Sequence, residues 1–214
     1  MSPVGDGCFP MGDMEVGASV SFGGLDWRVL EVRDGAALVI TERIIDQRPY
    51  HDAYTEITWA DCALRRHLNG AFLDGFGAAD RARIVPVVNR NLDNQWYGTP
   101  GGADTEDSVF LLSIEEAVCR YFGDSSAKLY DEGRKRRYWF ERKDENNARR
   151  SANLWRGDGG TWWWWLRSPG RLGVKAVYIH GDGNIGIQGN NILKGNIADG
   201  WCTGGVRPAV WIRI

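Results

Sequence analysis

The period of hydrophobic and polar positions changes along the chain, and the changes predict a β-rich start, two helices and a glycine-rich β region at the end. Residues 18–44 read as a β meander: SVSFGG, then LDWRVLEV with apolar Leu25, Trp27 and Val29 before the phase slips to Leu30 and Val32, then AALVITERII. Asp34-Gly35 between the last two runs is a hairpin turn signal. From Thr58 the period becomes helical. Thr58 can cap, Asp61 sits at the capping-box position, and Ala60, Leu64, Leu68 and Phe72 recur on one face until Asn69-Gly70 and Asp74-Gly75 end the helix. A second helix starts at Ser113 in the pattern SIEE, runs through Ala117, Val118 and Tyr121, and stops at Gly123. Between them, 89–108 is polar and turn-rich and reads as a long ordered loop.

Residues 155–214 carry 13 of the 28 glycines, spaced between short apolar runs, which implies tight turns and little helix. WWWWL at 162–166 is apolar on both faces of a strand, as a central strand covered on both sides is; because alternate residues point opposite ways, core packing is the preferred role of at least two of these tryptophans. After Ser168-Pro169-Gly170 the pattern alternates. Val177 and Ile179 are expected to face inward and Tyr178 and His180 outward; Asp182-Gly183 makes a turn, and Asn184 then points out and Ile185 in. Gln188, Asn190, Asn191, Lys194 and Asn196 extend the polar set. Val206, Val210, Trp211 and Ile212 anchor the final strand.

Composition narrows the class. At 214 residues, 43% hydrophobic and 25% charged, the chain matches an average globular protein able to bury roughly 70% of its unfolded surface. A net charge of -2 supplies no global field for a polyanion or an acidic membrane. No apolar run is long enough to span a bilayer and the start shows no export signal, so the expectation is a chain that is cytoplasmic as synthesised, with a phage particle as a further destination. Cys8, Cys62, Cys119 and Cys202 are far apart, without metal-ligand spacing, and read as reduced, packed thiols. His51, His67 and His180 are too scattered for a metal or a nucleophile–base arrangement, and no phosphate loop is present. No cofactor is expected. The segment 134–150 holds eight basic and three acidic side chains around Tyr138, Trp139 and Phe140; a solvated segment is preferred to a nucleic-acid surface.

WWLRSPG at 164–170 together with GGVRPAVW at 204–211 resembles a bacterial domain family with a C-type-lectin-like fold, related in fold to formylglycine-generating enzymes. WRVLEV at 27–32, the RRHLN helix ending and 94–117 extend the resemblance over nearly the whole chain. It implies one α+β domain spanning 1–214, with two helices around small antiparallel sheets, an irregular glycine-rich C-terminal half, and the first and last strands close together in one sheet. Several members of this family look like the variable proteins of diversity-generating retroelements, in which a reverse transcriptase rewrites codons of a C-terminal region. By that resemblance 165–205 is the candidate variable region, and the abundance of Asn accords with adenine-directed change.

The expected function is therefore non-enzymatic binding of a ligand, preferably a protein. The expected face comprises Arg171, Leu172, Val174, Lys175, Tyr178, His180, Asn184, Ile187, Gln188, Asn190, Asn191, Lys194 and Asn196, flanked by Trp201, with Tyr178 and Trp201 as aromatic anchors. Two alternatives stay open: an oxidase-like enzyme of the same fold, for which the family's cysteine pair is reduced here to Cys202, and nucleic-acid binding through 134–150. Arg167 and Arg207, one in each motif, are either catalytic electrophiles or, the preferred reading, buried guanidinium groups fastened by ion pairs and backbone carbonyls.

Overall fold

The computed structural model describes residues 14–129, 144–155, 160–193 and 203–214. The predicted meander is present as β1 (Ser19–Phe22), β2 (Leu25–Arg33) and β3 (Ala36–Thr41). The Asp34-Gly35 turn has positive φ at both residues, 51° and 71°, which is what a two-residue loop matched to strand twist requires. The slip of phase in β2 is a bulge: the register to β3 shifts between Val29 and Glu31, so Val29 and Leu30 are both buried.

The chain continues through β4 (Asp46–Gln47), β5 (Ile84–Val85), β6 (Val87–Asn89), β7 (Thr105–Asp107), β8 (Ala152–Asn153) and β9 (Thr161–Trp162). It closes with β10 (Trp164–Pro169), β11 (Lys175–Ile179), β12 (Ile185–Asn191), β13 (Gly205–Val206) and β14 (Ala209–Arg213). One five-stranded sheet has the order β1-β2-β3-β14-β5, so the final strand joins the sheet of the first, as expected. The other has the order β12-β11-β10-β13-β4, with β10 central, as the WWWWL run implies. Pairs β6-β7 and β8-β9 stand apart.

The expectation of an α+β, C-type-lectin-like fold with two helices is corrected: the structure is mostly β, 37% strand against 19% helical, in several small sheets. Helices do form at both forecast places, but they are short and irregular. At the first, Thr58 is extended and makes no capping bond, Trp59–Asp61 is a single 3₁₀ turn, and a fresh turn, Ala63–His67, starts at Cys62, whose Sγ accepts from Arg65 N. The helix continues unbroken through the wide stretch Leu68–Phe72, kinked at Gly70, to residue 74. At the second, the Ser113–Glu116 capping box is made in both directions and a short helix follows over 114–120, wide from Glu116 to Arg120. The apolar spacing of four residues buries Leu64 and Leu68 on one face of the first helix.

The core joins both large sheets. Trp27, Trp59, Trp164 and Trp165 are fully buried, and each indole N–H is satisfied: to Phe22 O, Asp107 Oδ2, Arg150 O and Arg48 O respectively. No helix among the described residues is long and apolar enough to cross a membrane.

Candidate functional site

The structure divides the face expected from alternation. Arg171 and Leu172 are exposed, and Val174, Lys175, Gln188 and Asn190 are half-buried around them: Arg171 N donates to Gln188 O, Lys175 N to Leu172 O, and Ala176 pairs with Asn190. His180 is partly exposed at the opposite end of the hairpin, where its Nδ1 lies 3.0 Å from Asp182 Oδ1. Lys194, Asn196 and Trp201 lie outside the described residues. The outward placement of four residues is corrected: Tyr178 is 3% exposed, Asn184 1%, Ile187 0% and Asn191 9%. Tyr178 packs edge-on against Trp163, with ring centroids 5.3 Å apart, and lies opposite Gly186, where a Cβ would come within 2.3 Å of its ring. Asn184 and Asn191 turn their Oδ1 atoms onto backbone N–H groups of Ile185 and Leu193. These are braces.

A cavity of about 580 Å³ lies where the two sheets meet, between β6 with the loop after it, the 113–121 turn and the end of β10. Its size is that of a small-molecule or side-chain binding site. Leu38, Trp96, Phe110, Ile114 and Trp211 give it apolar walls, and Asn91, Glu116 and Arg167 give it polar ones. The loop is held in shape by its own side chains. Asn94 Nδ2 donates to Pro169 O and Ile187 O, Asp93 Oδ1 accepts from Gly101 N, and Asp104 Oδ1 accepts from Asn91 N. The Arg171 guanidinium lies 5.8 Å from the Tyr97 ring, next to Trp96 of the cavity wall, so the cavity rim and the exposed connection between β10 and β11 are neighbours.

Arg167, within WWLRSPG, makes a two-pronged pair with Glu116, and its Nη1 also donates to Leu111 O. Burial pushes the Glu116 carboxyl up, but the Arg167 charge and hydrogen bonds from Arg167 and Ser113 outweigh it, so the net shift is downward and the group is ionised at neutral pH. Arg207, in the other motif, is buried differently: Nε donates to Thr41 O, and its guanidinium lies 5.1 Å from the Trp164 ring and 5.5 Å from Phe122. The expected fastening role fits both arginines.

Among the described residues no group of three or more His, Cys, Asp or Glu is placed to hold a metal. Burial pushes the Cys62 thiol up to about 12, so it stays protonated; Cys8 and Cys202 lie outside the described residues. The basic segment falls outside them from 134 to 143, while Arg150 is fully buried, bound to Asp144, Asn147, Ser125 and Gly183 O, and so is not offered to a phosphate. The polar loop at 89–108 was legible as ordered, but nothing in its spacing showed that it would wall a cavity together with Arg167.

Residues 34–214 match the model of a family described as a domain of unknown function, DUF6273. The chain belongs to this family. No curated protein and no solved structure matches it. The DUF6273 match takes in both motif segments and every cavity-lining residue except Arg33.

Proposed function

We propose that this DUF6273 protein is a non-enzymatic binding protein that receives a segment of another protein in the cavity between the sheets, with Arg171, Leu172 and Lys175 as its flank. One observation carries the reading: a loop locked by its own Asn and Asp side chains and a motif arginine locked by Glu116 enclose a space with aromatic walls. Binding sites of this kind are preformed and apolar with a few fixed polar groups. Half-exposed Trp96 at the wall is the expected anchor.

The test is thermal denaturation of the full chain with N-acetyl amino-acid amides, free amino acids and monosaccharides, repeated with Trp96→Ala. A probe that stabilises the wild type and not Trp96→Ala supports the cavity; stabilisation that survives the substitution, or none from any probe, overturns it.

The retroelement reading is proposed in a narrower form. Among the described residues, diversification is confined to Arg171, Leu172, Val174, Lys175, His180, Gln188 and Asn190, since rewriting Tyr178, Asn184, Ile187 or Asn191 would alter buried packing. Sequencing the neighbouring DNA tests it: a reverse-transcriptase gene and a near-copy of the codons for 165–211, differing at adenines under these seven positions, is the expected result. Neighbouring DNA without either rejects it.

A further inference from the structure

The cavity is bordered by the edge of a strand pair and not by its face. Val87, Val88 and Asn89 of β6 all line it, and Arg90, Asn91 and Leu92 continue the run, whereas no residue of β7 does. Neighbouring residues of a strand project to opposite faces, so an unbroken run of them reaches one cavity only where the strand's edge lies along it. Among the described residues β6 pairs with β7 alone, so that edge is open.

Register shows which groups the edge offers. In an antiparallel pair the N–H and C=O of a residue point to the same side, inward and outward by turns, and opposed residues agree. Ser108 N donates to Asn69 Oδ1 and Glu106 O accepts from Arg65, so 106 and 108 point away from β6. Val88, opposite Glu106, therefore turns its N–H and C=O to the open edge, and positions 86 and 90 follow by alternation. Pro86, which has no N–H to give a ladder, fits that outward register. No described residue hydrogen-bonds the backbone N–H or C=O of Val88 or Arg90, and both residues are exposed, Val88 at 67%.

Charges on the wall are largely answered within the chain: Arg167 by Glu116, and Arg33 and Arg120 by Glu31. An edge of backbone donors and acceptors is matched by the main chain of an extended polypeptide, and the apolar walls Trp96, Phe110 and Trp211 by one of its side chains. We propose that an uncharged, extended segment of another protein adds to β6 as a third strand of the β6–β7 pair, its main chain on Val88 and Arg90 and an aromatic side chain in the cavity. This rests on the cavity being the binding site, and adds that the partner's main chain is what is recognised.

The test is calorimetry on the full chain with the blocked peptide acetyl-Thr-Val-Phe-Val-Thr-amide and two N-methylated forms, one methylated at both valines and one at the other three residues. Alternate N–H groups of a strand lie on opposite edges, so one methylated form is expected to lose about tenfold or more in affinity and the other to stay within about threefold of the parent. Val88→Pro removes an N–H that the β6–β7 ladder does not use and is expected to weaken the parent peptide by about tenfold or more; Val88→Ala, which keeps that donor, stays within about threefold. Equal losses in Val88→Pro and Val88→Ala, equal affinities of the two methylated forms, or no binding of the parent at millimolar concentration overturns strand addition. Should Val88→Pro not fold, the two methylated forms decide on the wild type alone. A full chain that sediments as a dimer and is dissociated by Val88→Pro assigns the edge to a second copy and overturns the partner segment. Parent binding lost in Trp96→Ala with the two methylated forms equal leaves the cavity reading standing and removes only the strand, whereas binding unchanged in Trp96→Ala defeats the cavity reading and this proposal with it.

Discussion

The two motif segments, 164–170 and 204–211, each bury an arginine, and they solve the cost of that burial in opposite ways. Arg167 meets a carboxylate, two-pronged, at the wall of a cavity. Arg207 meets no carboxylate at ion-pair distance among the described residues; aromatic rings and the carbonyls of Thr41 and Arg150 enclose it, and burial, with the Arg28 charge adding, pushes its guanidinium down to about 9. A buried pair costs most when one member is removed, since the other stays behind as an uncompensated charge, whereas a buried lone cation carries its desolvation penalty already. Arg167 is thus half of a polar site, and Arg207 a cross-link between β3, the Asn147–Arg150 turn and the second motif.

The comparison makes its largest forecast at Arg167. Arg167→Ala strands Glu116 and opens space beside Phe110, and it should cost about 3–5 kcal/mol in urea unfolding. A loss below about 1 kcal/mol would show that the pair adds nothing to folding. Arg207→Met keeps much of the side-chain volume, removes a charge that had no counter-ion, and takes a donor from Thr41 O, while Arg150 O keeps the Trp164 indole N–H. Its expected cost is smaller, about 1–3 kcal/mol. Equal losses for the two variants would erase the distinction between them.

Acid titration sharpens the same contrast. Glu116 has a folded-state pKa lowered from 4.5, so the stability it contributes is present above pH 4.5 and is lost as pH falls through the lowered value. Glu116→Gln lacks that dependence. At neutral pH the variant should be less stable by about 1–2 kcal/mol, and the gap should close on acidification below 4.5. No gap at any pH would mean that Glu116 acts only through its capping bond to Ser113 N, which glutamine retains.

What the sequence made legible was local: the meander, the bulge in β2, the Asp34-Gly35 turn, the capping box at Ser113 and the central place of the tryptophan run. Each is written in a few adjacent residues. The misplacement of Tyr178 and Asn184 has a physical source that was already visible. A strand apolar on both faces, like 162–166, sits in a sheet covered on both faces, and a neighbouring strand inherits that cover, so polar alternation on β11 and β12 does not mark a solvent side. Gly186 opposite Tyr178 was the available signal, since a residue without Cβ beside a ring marks close packing. The cavity was not legible, because its walls come from β3, β6, the loop after it, the 113–121 turn, β10 and β14, brought together only by the folded chain.

The smallest expected effects lie on the exposed connection between β10 and β11. Arg171 and Leu172 project into solvent, Leu172 at 52% exposure, and their backbone groups, not their side chains, hold the turn: Arg171 N donates to Gln188 O and its carbonyl accepts from Thr99 Oγ1. Removing these side chains leaves those bonds in place. Arg171→Ala and Leu172→Ala should each shift unfolding by about 0.5 kcal/mol or less, the range for exposed positions away from caps and ion pairs. Arg171 carries the one added term, its cation–π contact with Tyr97, which at an exposed site is worth about 0.5–1 kcal/mol at most. The Arg171→Ala, Tyr97→Leu double-mutant cycle measures it. A coupling above about 1 kcal/mol would make Arg171 part of the brace that holds the 89–108 loop, and it would then fall out of the set of positions free to vary.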